Sequence, residues 1–141
     1  MTPKHSVSVA GVVVNAARDV LLIERRDTRE WQIPGGVLEL GEEIQAGLRR
    51  EIREETGYLV EAEALTGVYK NMALGVVALV FRCRLVSGDA AESEEATRVA
   101  WVPLREAQAL LPEAWSIRIT DALVTGSEVA VRTHDGKNLV Q

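Results

Sequence analysis

Apolar and polar positions alternate along the first residues, change period in the middle of the chain, and alternate again afterwards. From Ser6 to Asn15, Val7, Val9, Gly11 and Val13 interleave with Ser8, Ala10 and Val12, the pattern of a strand buried on much of both faces. A polar turn from Asn15 to Asp19 separates it from a second apolar run, Val20 to Glu24, and the two are expected to pair as a hairpin. Trp31-Gln32-Ile33 reads as a short extended stretch, because Pro34 disfavours helix at the residue before it. Pro34-Gly35-Gly36 is a break, followed by a loop to Gly41.

The period changes at Glu42. Ile44, Leu48 and Ile52 recur every four residues and predict a helix ending near Thr56-Gly57, with Gly57 just past its last turn. Tyr58–Asn71 and Gly75–Val86 return to strand character, Ser87-Gly88-Asp89 predicts a turn, and Ala91–Glu95 an acidic loop. Thr97–Val102 predicts another strand. Pro103 opens a helix running to Leu111, stopped by Pro112. A second helix, Ala114–Val124, puts Trp115, Ile119 and Ala122 or Leu123 on one face. Glu128–Arg132 predicts a final short strand, and His134 to Lys137 a turn or tail. With no linker, repeat or low-complexity tract, this order predicts one α+β or mixed α/β domain over residues 1–141.

Composition narrows the function. A chain of 141 residues, 47% hydrophobic and 26% charged, is long enough for a real core and reads as globular. The net charge of −5 argues against binding a nucleic acid polymer through a basic patch. It leaves a small phosphorylated substrate open, because a bound divalent cation inverts the local field. No run approaches the ~18–20 apolar residues of a membrane span, and Met1–Ser6 holds no apolar signal core, so no membrane partner is expected. A cytoplasmic location is the default expectation. Cys83, the sole cysteine, excludes an intrachain disulfide and is expected as a buried thiol. His5 and His134 lack metal-ligand spacing and are expected at the surface.

The chemistry concentrates between Gly36 and Tyr58. On a helix, Glu51, Glu54 and Glu55 stand at i, i+3 and i+4 and share one side. With Ile44 at zero, Leu48 falls near about 40° and Ile52 near about 80°, while Glu55 falls near about 20°, Glu51 near about −20° and Glu54 near about −80°. Glu55 therefore points where a core residue belongs. Two readings are open from the residues alone. One is a solvated acidic face paired with Arg49, Arg50 and Arg53, Arg50 and Glu54 being spaced as an i,i+4 pair. The other is a cation site, since clustered carboxylates at a core edge repel one another and are the hard ligands of Mg²⁺ or Mn²⁺. Gly35-Gly36 permits close backbone approach and a carbonyl ligand. It is not a P-loop, because no Gly-Lys-Ser/Thr follows.

Gly36, five residues, Glu42, seven residues, then Arg50-Glu51-Ile52-Arg53-Glu54-Glu55-Thr56-Gly57-Tyr58 resembles the Nudix box. Tyr58 is the one departure, standing where that family usually has an aliphatic residue. The resemblance implies an α/β/α sandwich around a mixed β-sheet, with the box as loop–helix–loop. Carried over by position, it implies Glu54 and Glu55 as principal ligands of Mg²⁺, with Mn²⁺ as a substitute. Glu51 becomes a ligand or the general base, and the Gly35 carbonyl a further ligand. Arg50 orients a helix carboxylate, while Glu42, Gly36 and Gly57 are structural box positions. One more acidic ligand is expected before the strand holding Trp101. Glu95 matches best, Glu94 and Glu92 less well, and a solvated loop stays open there.

The resemblance also implies a reaction: water attacks phosphorus in line and breaks a phosphoanhydride bond of a nucleoside diphosphate linked to another moiety. A (deoxy)nucleoside triphosphate is preferred to a nucleotide sugar. Met72–Val77 lacks both the proline of ADP-ribose-type members and the tyrosine of dinucleoside-polyphosphate members. Arg25, Trp31 and Tyr69 are candidate contacts to base or phosphate, with core packing equally open for Trp31. Trp115 and Arg118 line either a pocket or a dimer contact, and a homodimer is the family's default. The alternative function is a noncatalytic nucleotide sensor of the same fold. Loss of a helix glutamate would favour it, and all are present.

Overall fold

Alternation along the first strand, β1 (Ser6–Val13), sets the layering of the molecule. A computed structural model describes residues 1–124, 126 and 128–140. Val9 and Val13 pack into one core with Leu48 and Ile52 of helix α1 (Ile44–Thr56). Ala10 and Val12 pack into a second core with Ile119 and Ala122 of helix α3 (Glu113–Leu123). Successive strand side chains point to opposite faces, so one strand feeds both cores. β2 (Asp19–Arg25) divides in the same way, with Val20 and Leu22 on the α3 side and Leu21 on the α1 side. Helices therefore cover both faces of strands that are apolar throughout, as the expected α/β/α layering requires.

The remaining elements are β3 (Trp31–Gln32), β4 (Gly35–Val37), β5 (Tyr58–Asn71), β6 (Val76–Gly88), β7 (Ala96–Pro103), α2 (Leu104–Leu110), β8 (Ala130–His134) and β9 (Leu139–Val140). They form a mixed six-stranded sheet in the order β4-β1-β6-β5-β8-β9 and a three-stranded sheet in the order β3-β2-β7. β1 runs parallel to β6 and β5 parallel to β8. No helix among the described residues is long and apolar enough to cross a membrane. Cys83 is buried, as expected, and burial pushes its thiol up to about 12, which leaves it unreactive.

Several expectations are corrected. β1 and β2 do not form a hairpin: both edges of β1 are taken, by β4 and β6, and among the described residues an isolated Val14–Val20 bridge is what joins the two sheets by backbone pairing. Pro34-Gly35-Gly36 is not simply a break, because Gly35 and Gly36 lie in β4, antiparallel to β1. A Cβ at Gly35 would collide with the Val9 carbonyl and Ala10, so this close pairing needs glycine. Ile44, read as part of the apolar stripe, is exposed in the first turn of α1, leaving Leu48 and Ile52 to pack. Ser87 and Gly88 extend β6 rather than turn the chain. The final strand is not at Glu128–Arg132: β8 begins at Ala130, and β9 follows it as a hairpin. His134 is fully buried, not at the surface, because β8 lies inside the sheet between β5 and β9. Its Nδ1 accepts the Gly136 backbone N–H at 3.0 Å.

Candidate active site

Helix α1 ends on Gly57, whose φ of 83° and N–H bond to the Arg53 carbonyl at 2.9 Å stop the helix where Glu54 and Glu55 occupy its last turn. Glu55 is only 4% exposed, as its helical angle predicts. Its Oε1 accepts the backbone N–H of Gly35 at 2.7 Å, joining the helix to β4. Burial pushes its carboxyl up to about 8 against that hydrogen bond, and the charges of Glu51 and Glu95 add to the rise. Burial also raises Glu51, opposed by Arg50 and reinforced by Glu95 and Glu54. A Cβ on Gly36 would run into the Glu51 carboxylate, so the second glycine is what lets β4 lie against that side chain.

Arg50 organises the opposite flank. Its Nε and Nη2 donate to both oxygens of Glu42 at 2.6 and 2.9 Å, and its Nη1 donates to Glu51 at 3.0 Å and Glu54 at 3.2 Å. The Arg50 guanidinium holds Glu42 down to about 2. Among the described residues, no three His, Cys, Asp or Glu side chains converge on one point. Glu55 is turned to Gly35 and Glu54 to Arg50, so the three glutamates share a side of α1 without meeting. The donor set nevertheless fits a hard divalent cation. It consists of carboxylate oxygens beside a glycine backbone, with Glu51 and Glu55 both raised by burial and by the charge of Glu95.

The acidic loop before β7 reaches the same place. Of its three glutamates, Glu95 is the one whose charge acts on Glu51, Glu55 and Arg25. Arg26, absent from the sequence-based set, pins this loop: its N–H donates to the Glu95 carbonyl at 2.8 Å, its Nε to Glu94 at 3.1 Å and its Nη2 to Ser93 at 3.0 Å. No local signal marks Arg26, since its partners are carbonyls 67 or more positions away.

The three candidate substrate contacts separate. Arg25 pairs with Asp27 at 2.6 Å and rims a cavity of about 310 Å³ that also touches Gly35 and Gly36. Trp31 opens onto a neighbouring cavity of about 530 Å³, and Arg98 lies 5.2 Å from its ring centre. Gln32 and Trp115 line both cavities. Tyr69 is corrected as a substrate contact: it is fully buried, and its hydroxyl donates to Asp121 at 2.6 Å, which Arg132 holds in turn. Tyr58, the departure from the box, serves packing. It meets Trp101 edge-on at 5.5 Å, and its hydroxyl accepts the indole N–H at 3.0 Å.

The fold and the box geometry agree with comparison to known proteins, in which residues 4–123 match the NUDIX domain. The chain belongs to the Nudix family. It is 50% identical over 138 residues to a MutT-like protein of Streptomyces ambofaciens, spanning 98% of this chain and 89% of that one. It is 34% identical over 92 residues to a putative 8-oxo-dGTP diphosphatase of Bacillus subtilis (strain 168), spanning 64% and 62% of the two chains. A solved NUDIX hydrolase from Nitrosomonas europaea shares the fold, with a TM-score of 0.80, 20% identity, and 95% and 82% of the two chains covered. The chain is a Nudix pyrophosphohydrolase, and with every helix glutamate present the sensor alternative is set aside.

Proposed function

We propose that this Nudix hydrolase cleaves a phosphoanhydride bond in a nucleoside diphosphate linked to a further moiety, with a (deoxy)nucleoside triphosphate as the preferred substrate, in a Mg²⁺-dependent reaction. The observation that carries the reading is the nearly buried Glu55 carboxylate, bonded to Gly35 and crowded by Glu51 and Glu95. A carboxylate desolvated among other carboxylates is stabilised in its charged form by a divalent cation. Glu54, Glu55, Glu95 and the Gly35 carbonyl would hold that ion, leaving Glu51 to act as the base. When bound, it neutralises the diphosphate and acidifies the attacking water.

The residues themselves do the rest. Arg50 keeps Glu51 and Glu54 aimed along one flank, and Glu42 fixes Arg50. Glu51 accepts the proton as water attacks phosphorus in line, its raised affinity for a proton suiting it to that role. Arg25, at the rim of the cavity beside Gly35, contacts a phosphate, and Arg26 positions Glu95. Membership in the family and the name of the Bacillus subtilis relative support a nucleotide substrate.

The test is release of pyrophosphate or nucleoside monophosphate across a panel of nucleoside triphosphates and nucleotide sugars with Mg²⁺. Turnover of one class is expected, with Glu54→Gln and Glu55→Gln each losing most of it. Full activity in both variants would overturn the ligand assignment, and turnover without any divalent cation would overturn the metal.

A further inference from the structure

The cavity that begins beside Gly35 and Gly36 ends at a cation that no anion among the described residues pairs with. Arg118 of α3 is 4% exposed and lines this cavity together with Ile33, Leu74, Val76 and Trp115. Its Nε has no hydrogen-bond partner among the described residues. Its Nη2 lies 3.2 Å from Nε2 of His134, and His134 Nδ1 lies 3.0 Å from the Gly136 N–H. A neutral imidazole accepts at one of its two nitrogens only. The Nε–H of this buried guanidinium, with the Nη2 hydrogen beside it, is the donor edge left for a ligand. The rings of Trp115 and Tyr69, with centres 4.2 and 4.8 Å away, offset part of the charge but supply no acceptor. Burial lowers its pKa to about 10, so the group remains charged at neutral pH.

What is missing is an acceptor, and the cavity says which kind. Its walls are mostly apolar and include an aromatic face, which suits a flat ring better than a hydrated phosphate. The glycine end, beside the glutamates, is where the phosphates belong under the nucleotide-hydrolase reading, on which this inference rests. We propose that Arg118 reads the base of the substrate and selects a 6-oxopurine. Such a base presents a carbonyl oxygen and a ring nitrogen side by side, matching the paired donors of a guanidinium. A 6-aminopurine places an N–H₂ group at the same position, where two donors would meet.

Binding, read without turnover, separates this from the hydrolase reading. Isothermal titration calorimetry would compare inosine monophosphate, adenosine monophosphate and ribose 5-phosphate on the native protein and on Arg118→Met. Inosine monophosphate is expected to bind roughly tenfold or more tightly than adenosine monophosphate, the contribution of one paired contact. In Arg118→Met the ratio should fall to near one while the melting temperature holds or rises, because a buried cation without an acceptor has been removed. A ratio near one in the native protein, or a ratio unchanged in the variant, overturns the assignment. An equal loss for ribose 5-phosphate and inosine monophosphate would mean that Arg118 reads phosphate, and would also overturn it. If the variant does not fold, the Arg118 Nε–H resonance of ¹⁵N-labelled native protein decides: a shift with inosine but not adenosine monophosphate supports the proposal, and no difference sinks it. Base selection without hydrolysis of any nucleotide would remove the proposed function and leave this inference standing. Hydrolysis with equal kcat/KM for inosine and adenosine triphosphates would do the reverse.

Discussion

Arg50 donates through two nitrogens to Glu42 and through a third to Glu51 and Glu54, so one guanidinium fixes three carboxylates. Its loss should leave Glu51 and Glu54 free to swing apart. Arg50→Ala is expected to lower kcat/KM roughly 10–100-fold, the usual effect of removing a partner that orients ligands. Arg50→Lys should not restore it, because a point charge does not reproduce the fork. Initial rates over a Mg²⁺ titration check both, and a fully active lysine variant would show that the fork is dispensable. Glu51→Gln should cost ~10²- to 10⁴-fold at saturating Mg²⁺ if Glu51 is the base. A change in the Mg²⁺ requirement alone would make it a ligand instead. At this scale the sequence was readable where partners are close. Helical spacing gave the burial of Glu55 and the Arg50–Glu54 pair. It could not give Arg26, whose contacts depend on how a distant loop folds back.

Elements whose character lies in their own period were also readable. Tyr58–Asn71 is one strand, bulged at three places along its pairing with β6, and α1 stops at the glycine that its pattern indicated. That stop requires glycine, by both its conformation and its surroundings. Gly57 has φ 83°, and a Cβ there would strike the Asp89 carbonyl, in the segment leading to Glu95. Gly57→Ala should therefore cost about 1 kcal/mol or more. That corresponds to a melting temperature lower by roughly 2–4 °C, measurable by calorimetry. An unchanged melting temperature would mean that the helix end rearranges freely. Pairing was less readable than period. The alternation of Val7 to Val13 fits a strand with any neighbour, and only folding shows that β4 and β6, not β2, take its edges. Pro34-Gly35-Gly36 looked like a break because glycine carries no pattern, although its missing side chains are what admit it to the sheet.

Across the whole molecule, two cores share the strands between them, and the second core buries polar groups that its sequence gave no reason to expect. His134 is one. Burial, then the charge of Arg118, lowers its pKa below the ordinary 6.5, with Asp135 opposing. Between the lowered value and 6.5 the unfolded chain binds a proton that the native state refuses. Stability from this residue is thus complete above about pH 6.5 and is lost as the pH falls. Denaturant melts between pH 5 and 7 should slope downward towards acid, and His134→Gln should flatten that slope. An identical slope in the variant would assign it to other groups. The sequence hid His134 because its burial follows from β9, a two-residue strand too short to carry a period.

Among the described residues one backbone bridge, Val14–Val20, joins the two sheets, which otherwise pack through side chains, and the cavity ending at Arg118 has walls from both. Ser8 to Ala10 and Gly35 to Val37 come from the larger sheet, Arg25 and Gln32 from the smaller. A nucleotide seated there would staple a seam that few backbone hydrogen bonds cross. Amide hydrogen exchange along β2, β3 and β7 should then slow together when nucleotide and Mg²⁺ bind, as a cooperative unit rather than residue by residue.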